Sequence, residues 1–286
     1  MIVNEELLFS LNIPKRLGDI GFDLNEAYTS LQLSQVAYLS IEKQRKKLKK
    51  YGFKCVKSFS KENTYAFICK KKGTLFIVFR GTDFSDPRDI ADNLNVKKVK
   101  DGNGKVHAGY KEHLDRVYKD IINAISGTKF KNIIVTGHSM GGGVGQIVNH
   151  RLSGTKGYYF GGTRSVNSLI YKNQKSFVYH IQNEFDIVPN LPPRLFGFRL
   201  LGGTYILKYG KLYPRPQRMS EMCYVIFYTF AFLGMFVFAK IFGVKEKLKN
   251  LILINHKVAD YHKNFEAYLV EETFNILRYE KKIKKN

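Results

Sequence analysis

The stretch Lys131-Asn-Ile-Ile-Val-Thr-Gly-His-Ser-Met-Gly-Gly-Gly143 contains the strongest fold signal in the chain. Residues 131–136 are a short and largely apolar run, which is typical of a strand buried on both faces. The glycine-rich segment after it leads into residues 141–152, whose pattern predicts a helix. Because strand-like and helix-like stretches alternate along the rest of the chain as well, the sequence predicts an α/β fold.

The same stretch contains the motif G-x-S-x-G, written here Gly137-His-Ser-Met-Gly141. Between a strand and a helix, this motif is typical of a nucleophile elbow. The abrupt turn strains the serine backbone and exposes its Oγ, and glycines are needed on both sides because the backbone approaches so closely. The N-terminus of the following helix favours a developing negative charge. Ser139 is therefore the candidate nucleophile, and a plain glycine-rich turn is the alternative.

An oxyanion formed at this serine would need two backbone N–H donors. One is expected from Met140, the residue after the nucleophile. The second is expected from Thr82 in the segment Phe79-Arg-Gly-Thr82, which follows an apolar strand-like run. Gly81 would permit a tight turn that presents the Thr82 amide, although an ordinary strand-ending turn would look the same in sequence.

A serine nucleophile also needs a base, and the base needs a carboxylate to orient it. Asp186 follows the strand predicted over residues 176–181, and the C-terminal end of a strand suits this role. Glu184 is an alternative, but it lies further from the proline-rich turn that follows. The histidines after Asp186 are His256 and His262, and these are the candidates for the base.

Hydrophobic periodicity indicates the remaining elements. Helices are predicted over residues 25–51 (one or two helices), 113–125 and from 255 onward, strands over 53–58, 64–70 and 74–79, and a loop or short helix over 83–95.

The chain of 286 residues has a formal net charge of +23. Such a basic balance suggests a polyanionic partner, either nucleic acid or an anionic membrane surface, unless it only reflects an AT-rich genome. No RNA-binding aromatic–glycine signature and no zinc-finger spacing accompanies the charge, so nucleic acid is not expected. Residues 278–286 are interpreted as a basic tail.

The chain has three cysteines, Cys55, Cys69 and Cys223. Their odd number and wide spacing do not indicate a disulfide framework or a metal site. Cys55 and Cys69 fall on two strands that could form one hairpin, which would permit a bridge without implying one. A reducing compartment is the default expectation. The N-terminal residues lack an apolar run of signal length, so we expect no secretory signal.

Residues 222–239 form an apolar segment without a charged residue, and residues 241–244 continue it after Lys240. Eighteen such residues reach the minimum length of a membrane-spanning helix. One crossing between Asp186 and His256 would, however, put Ser139 and His256 on opposite sides of a bilayer roughly 30 Å thick. We therefore expect residues 222–244 to insert into a membrane without crossing it. A helix in the core or along an acyl-binding wall, and a true span, are the alternatives.

Taken together, these motifs resemble the class 3 lipases, the fungal-type triacylglycerol lipase family, over roughly residues 31–269. The blocks that carry the resemblance are Phe79–Thr82, Val106–Tyr110, Gly137–Gly143, Phe160–Arg164, Asp186–Pro193 and, most weakly, His256–Tyr261. Two features depart from the family pattern. Thr163 stands where proline is usual, and the chain has no tryptophan, a residue that the family often has after the oxyanion block.

The resemblance implies one α/β-hydrolase domain over residues 1–286, with a mostly parallel sheet and helices on both faces. It implies a Ser139–Asp186–His256 triad, with the spacing to Tyr261 favouring His256 over His262. It also implies a carboxylic-ester substrate, in particular an acylglycerol or phospholipid, and chemistry without metal or cofactor. The expected location is membrane-associated and otherwise cytoplasmic. A catalytically inactive, membrane-bound lipid-binding or scaffold protein remains the alternative.

Overall fold

The computed structural model describes residues 21–81, 96–184, 186–208, 211–214, 256–257 and 259–268. Eight strands of these residues form one sheet in the order β1-β2-β3-β6-β7-β9-β11-β12. Their bounds are β1 Lys54–Lys61, β2 Thr64–Lys71, β3 Thr74–Phe79, β6 Asn132–His138, β7 Lys156–Phe160, β9 Phe177–Asn183, β11 Gly203–Lys208 and β12 Lys211–Pro214. The five central strands, β3, β6, β7, β9 and β11, are parallel to one another. At the two edges, β1, β2 and β12 pair antiparallel with their neighbours.

Helices cover both faces of this sheet. Their bounds are α1 Leu24–Val36, α2 Ile41–Lys50, α3 Ala108–Ser126, α4 Met140–Arg151 and α5 Ser168–Lys172, and residues 259–268 are also helical. Helix α1 begins where the Asp23 side chain accepts hydrogen bonds from the amides of Asn25 and Glu26, which satisfies two donors of its first turn. It packs on β6 and β7, while α4 packs on β3, β6 and β7.

The central strands are buried on both faces, which explains their nearly continuous apolar sequence. In β6, Ile134 belongs to the apolar core beneath α1, whereas its neighbour Val135 belongs to the core beneath α3 and α4. In β7, Tyr158 and Tyr159 divide between the same two cores. The alternation follows from the two-residue period of a strand, which sends successive side chains to opposite faces.

A smaller antiparallel sheet of the described residues lies beside the main one, in the order β10-β8-β5-β4. Its strands are β4 Lys98–Asp101, β5 Gly104–His107, β8 Val166–Asn167 and β10 Phe198–Arg199. Two 3₁₀ turns, Val188–Asn190 and Arg194–Phe196, lead from the end of β9 into β10. The segment after β9 is therefore tied to this second sheet.

Most predicted elements are present, with shifted ends. The helix predicted over residues 113–125 begins five residues earlier, at Ala108, because the His107 side chain accepts a hydrogen bond from the Tyr110 amide and caps it. The sequence patterns did not predict the strands β4, β5, β7, β8, β10, β11 and β12. Several predictions fall outside the described residues, namely Thr82, the region 83–95, the apolar segment 222–244 and the basic tail 278–286. No helix within the described ranges is both long and apolar enough to cross a membrane.

Candidate active site

Ser139 lies at a sharp corner between β6 and α4. The strand ends at His138, the helix begins at Met140, and Ser139 between them has φ 58° and ψ −130°. A residue other than glycine pays a steric cost for a positive φ, and such strain is concentrated at functional sites. The strained corner is the backbone that the G-x-S-x-G motif predicts.

Glycines flank this corner because the backbone on each side is close. A Cβ on Gly137 would lie 2.6 Å from the backbone carbonyl carbon of Gly141, and a Cβ on Gly141 would lie 2.5 Å from the Phe79 carbonyl oxygen. Both distances are shorter than real Cβ atoms tolerate, so neither position has room for a side chain. The crowding holds α4 against the ends of β3 and β6, and it fixes Ser139 where those strands end.

The structure brings Ser139, His256 and Asp186 together. His256 Nε2 lies 2.9 Å from Ser139 Oγ, and His256 Nδ1 lies 2.8 Å from Asp186 Oδ2. Because an ionised carboxylate can only accept, Nδ1 donates to Asp186, and Nε2 of the neutral ring is left to accept the Ser139 hydroxyl proton. All three side chains are buried. The arrangement is a hydroxyl, a base and an orienting carboxylate in one hydrogen-bonded chain.

Asp186 is fixed by donors besides His256. The Val188 amide donates to its Oδ1 at 2.9 Å, and the Tyr261 hydroxyl donates to its Oδ2 at 2.5 Å. The Tyr261 oxygen also accepts the Asn183 amide at 3.0 Å. Burial, together with the neighbouring Asp186, raises the pKa of Tyr261 well above its usual range, so this hydroxyl keeps its proton and remains a donor. The sequence points to Tyr261 only through its spacing from His256.

The proposed oxyanion donors are only partly described. Met140 is the first residue of α4, and amides in the first turn of a helix have no acceptor within the helix. Gly81 follows β3 and passes directly beside the corner, since a Cβ there would lie 2.5 Å from the His138 carbonyl oxygen and 3.0 Å from Ser139 Cβ. Thr82, the predicted second donor, lies outside the described residues.

His138 links the elbow to the backbone of His256, a contact that the motifs did not reveal. Its Nε2 lies 2.6 Å from the His256 carbonyl oxygen, and its Nδ1 lies 2.8 Å from the Tyr38 hydroxyl. A carbonyl only accepts, so His138 Nε2 carries the proton and Nδ1 accepts from Tyr38. Burial and the nearby His256 hold the pKa of His138 well below its usual range. The ring is therefore neutral, with both nitrogens hydrogen-bonded.

Arg164 holds the segment that follows Asp186. Its side chain is buried, and its guanidinium donates to the carbonyl oxygens of Asn190 and Pro192 and to the Asn190 side chain. Its backbone amide donates to the Leu191 carbonyl at 2.7 Å. Several hydrogen bonds from one buried cation therefore fix the turn at residues 190–192, only a few residues after the carboxylate.

The alternative acid and base lie elsewhere. Glu184 forms an ion pair with Lys208. His262 lies against Tyr28 and Glu266, with its ring nitrogens 3.5 Å from the hydroxyl of the first and from a carboxylate oxygen of the second. Of the two candidate acids and the two candidate bases, the structure thus brings Asp186 and His256 to Ser139. Within the described ranges, no group of three or more His, Cys, Asp or Glu side chains is arranged to hold a metal ion.

Comparison with known proteins adds an independent observation. Residues 76–196 match the family model of the class 3 lipases. Over these residues the chain is similar to the class 3 lipases. This match contains the elbow, Asp186 and the segment after β3, so the resemblance seen in the motifs is confirmed.

Individual lipases also align with this chain. The chain is 30% identical to a lipase of Rhizopus niveus over an alignment of 164 residues, gaps included, that covers 49% of this chain and 40% of the relative. It is 33% identical to "Secreted mono- and diacylglycerol lipase 1" of Fusarium solani over an alignment of 129 residues, gaps included, that covers 41% of this chain and 38% of the relative. The chain thus spans about two fifths of the length of the relatives that it matches.

Solved lipase structures share the architecture. Lipase II of Rhizopus niveus superposes with a TM-score of 0.57 at 22% identity, covering 70% of this chain and 88% of that one. The lipase of Rhizopus microsporus var. chinensis superposes with a TM-score of 0.56 at 21% identity, covering 74% of this chain and 90% of that one. Similarity at this level concerns the fold, and it confirms the predicted α/β-hydrolase class.

Proposed function

We propose that this chain is a serine carboxylic-ester hydrolase, a lipase that acts through Ser139, His256 and Asp186. One observation carries the proposal, namely the hydrogen-bonded chain from Ser139 Oγ through the His256 ring to Asp186 Oδ2, with steps of 2.9 and 2.8 Å. The strained backbone of Ser139 supports it, because that conformation presents Oγ at the tip of a strand–helix corner.

The geometry suggests a sequence of proton transfers. His256 Nε2 removes the proton of Ser139 as Oγ attacks the ester carbonyl carbon, and Asp186 stabilises the imidazolium that results. The amides of Met140 and Thr82 would donate to the tetrahedral oxyanion. His256 then protonates the leaving alkoxide, which leaves an acyl group on Ser139. Water, activated by the same base, hydrolyses this acyl-enzyme and restores the serine.

The substrate we propose is a glycerolipid ester, with an acylglycerol preferred. Its support is the class 3 lipase match and the relatives named as a lipase and as a mono- and diacylglycerol lipase. A phospholipid is the other ester that the excess of basic residues would suit. Release of fatty acid from diacylglycerol and from phosphatidylglycerol, measured side by side, decides between them.

Substitution of the nucleophile tests the reaction. We expect Ser139→Ala to lower the hydrolysis of a short-chain ester by at least about a thousandfold, because nothing else in the triad can form the acyl-enzyme. A fluorophosphonate should label Ser139 in the unaltered protein and lose its target in this variant. The exposed Ser153 provides the matched control, since Ser153→Ala should leave both readouts unchanged. Equal activity of the Ser139→Ala protein would favour the inactive lipid-binding alternative.

We also propose that an anionic membrane surface is the partner. The net charge of +23 and the uncharged run over residues 222–239 support this proposal. The full chain should sediment with vesicles of phosphatidylcholine and phosphatidylserine at low salt, and much less in high salt because counterions screen the attraction. Equal binding to vesicles of phosphatidylcholine alone would contradict an electrostatic contribution.

A further inference from the structure

Two cysteines face each other across the first hairpin of the main sheet. Strands β1 and β2 are antiparallel, and their register pairs Cys55 directly with Cys69. Residues paired in this way have Cα atoms about 4.5–5.5 Å apart and send their side chains to the same face. A disulfide needs Cα atoms about 4.4–6.8 Å apart. The register therefore gives Cys55 and Cys69 a backbone separation that is compatible with a disulfide.

The surroundings of the two thiols agree with this placement. Cys69 is fully buried in the apolar core beneath α1, and Cys55 packs against the same core while remaining partly exposed. Both cysteines are free thiols in this structure. Cys55 Sγ lies 3.8 Å from the hydroxyl of Ser58, at a point where a β-bulge shifts the register after Cys55. One thiol of the pair is thus reachable from solvent, and the other is sheltered behind it.

We propose that Cys55 and Cys69 form a redox-active dithiol that closes to a disulfide when it meets a low-molecular-weight disulfide such as oxidised glutathione. This modification site is separate from the triad, and it does not depend on the proposed hydrolase function. It joins the edge strand β1 to β2, which in turn pairs with β3 beside the catalytic corner.

The reaction takes place in two balanced exchanges. The Cys55 thiol gives up its proton, and its sulfur attacks one sulfur of the small disulfide, forming a mixed disulfide and releasing one small thiol that takes up the proton. Cys69 then loses its proton, and its sulfur attacks Cys55 Sγ and displaces the second small thiol. Two protein thiols are oxidised to one disulfide, and one small disulfide is reduced to two thiols.

The environment sets the order of these steps. Thiolates rather than thiols attack, and burial raises the pKa of Cys69 well above its usual range, with Cys55 nearby adding to the effect. Cys69 is therefore a poor partner for a reagent in solution. Cys55 therefore makes the first attack, on the small disulfide. Cys69 makes the second attack, which is intramolecular because its target is the sulfur of Cys55 on the neighbouring strand.

Mass spectrometry of the folded full chain treated with oxidised glutathione tests the proposal. We expect a loss of two hydrogens and a proteolytic peptide pair joined through residues 55 and 69, both reversed by dithiothreitol. Cys223→Ser, which removes the third cysteine, should give the same product. Because the bridge closes a hairpin loop, the oxidised form should melt roughly 5 °C higher than the reduced form.

Single variants test the order of attack. Cys69→Ala should fold, since alanine is also small and apolar, and should retain one glutathione on Cys55. Cys55→Ser should take up no glutathione at Cys69. The proposal is overturned if the unaltered chain stops at the Cys55 mixed disulfide, or if its bridge joins residue 223 instead. A mixed disulfide on Cys69 in the Cys55→Ser protein would likewise overturn the assigned roles.

Discussion

At the scale of the residue, the second histidine of the site has a task distinct from that of the base. His138 donates to the His256 carbonyl oxygen across 2.6 Å, and its ring centroid lies 4.7 Å from that of His256. It thereby connects the backbone of the proposed base to the elbow that carries the nucleophile. We interpret His138 as a positioning residue, which holds His256 in line with Ser139.

Replacement of His138 tests this role. His138→Ala should lower kcat on a soluble ester by roughly 10–100-fold, because small displacements of a base from its nucleophile are costly. His138→Gln should recover most of the rate, since its side-chain amide can still donate to the His256 carbonyl. The labelling rate of Ser139 by a fluorophosphonate should fall and recover in parallel. Equal kcat values for His138→Ala and His138→Gln, or an unchanged kcat for His138→Ala, would contradict the positioning role.

At the scale of the element, the placement of α4 depends on a glycine face that touches a neighbouring backbone. A Cβ on Gly142 would lie 2.8 Å from the Gly162 Cα, and backbone cannot move aside as a flexible side chain can. Gly142→Ala should therefore lower the free energy of unfolding by about 1–3 kcal/mol, as overpacking does. Urea denaturation measures this change.

Gly127 supplies the matched control for that substitution. It follows α3 with φ −83°, and a Cβ there would meet its nearest neighbour, the Asn123 carbonyl oxygen, at an ordinary 3.7 Å. Gly127→Ala should leave the unfolding midpoint nearly unchanged. If Gly142→Ala and Gly127→Ala are equally stable, the close packing of α4 on the segment after β7 does not explain why residue 142 is a glycine.

The elements show which parts of the fold could be predicted from sequence. The runs over β3 and β6 are largely apolar because both faces of these strands are mostly buried, so these two strands could be recognised. The strand β7, with sequence Lys-Gly-Tyr-Tyr-Phe, is equally buried, but it is short and glycine-containing and was missed. The two-residue strands β8 and β10 are defined only by their partners in the second sheet, so no local pattern could predict them.

The site shows a similar division. Ser139 could be recognised because the elbow is a local motif. The position of the acid and the base after the nucleophile in the chain left two candidate residues for each role. The choice between Glu184 and Asp186 depends on contacts with Lys208 and His256, which are distant in sequence. Tyr38 and His138 lie 100 residues apart, and no spacing rule could have related them.

At the scale of the whole molecule, burial of neutral histidines should make the fold sensitive to acid. His180 on β9 is fully buried, its Nε2 donates to the Leu201 carbonyl at 3.0 Å, and burial lowers its pKa to about 3. Burial lowers the pKa of His138 as well. Unfolded histidine has a pKa of about 6.5, so below that pH the unfolded chain binds protons that the folded chain excludes.

The sign of the effect follows from this difference. Above about pH 6.5 both states are neutral at His180, and its contribution to stability is complete; as the pH falls towards 3, the free energy of unfolding declines by up to about 1.4 kcal/mol per pH unit. His180→Gln keeps an amide donor for the Leu201 carbonyl but cannot titrate. Urea unfolding between pH 6 and pH 4.5 should therefore give a shallower pH dependence for the variant, whatever its absolute stability. An identical slope in both proteins would mean that His180 is protonated as readily in the folded chain as in the unfolded one, which its burial and its hydrogen bond to Leu201 oppose.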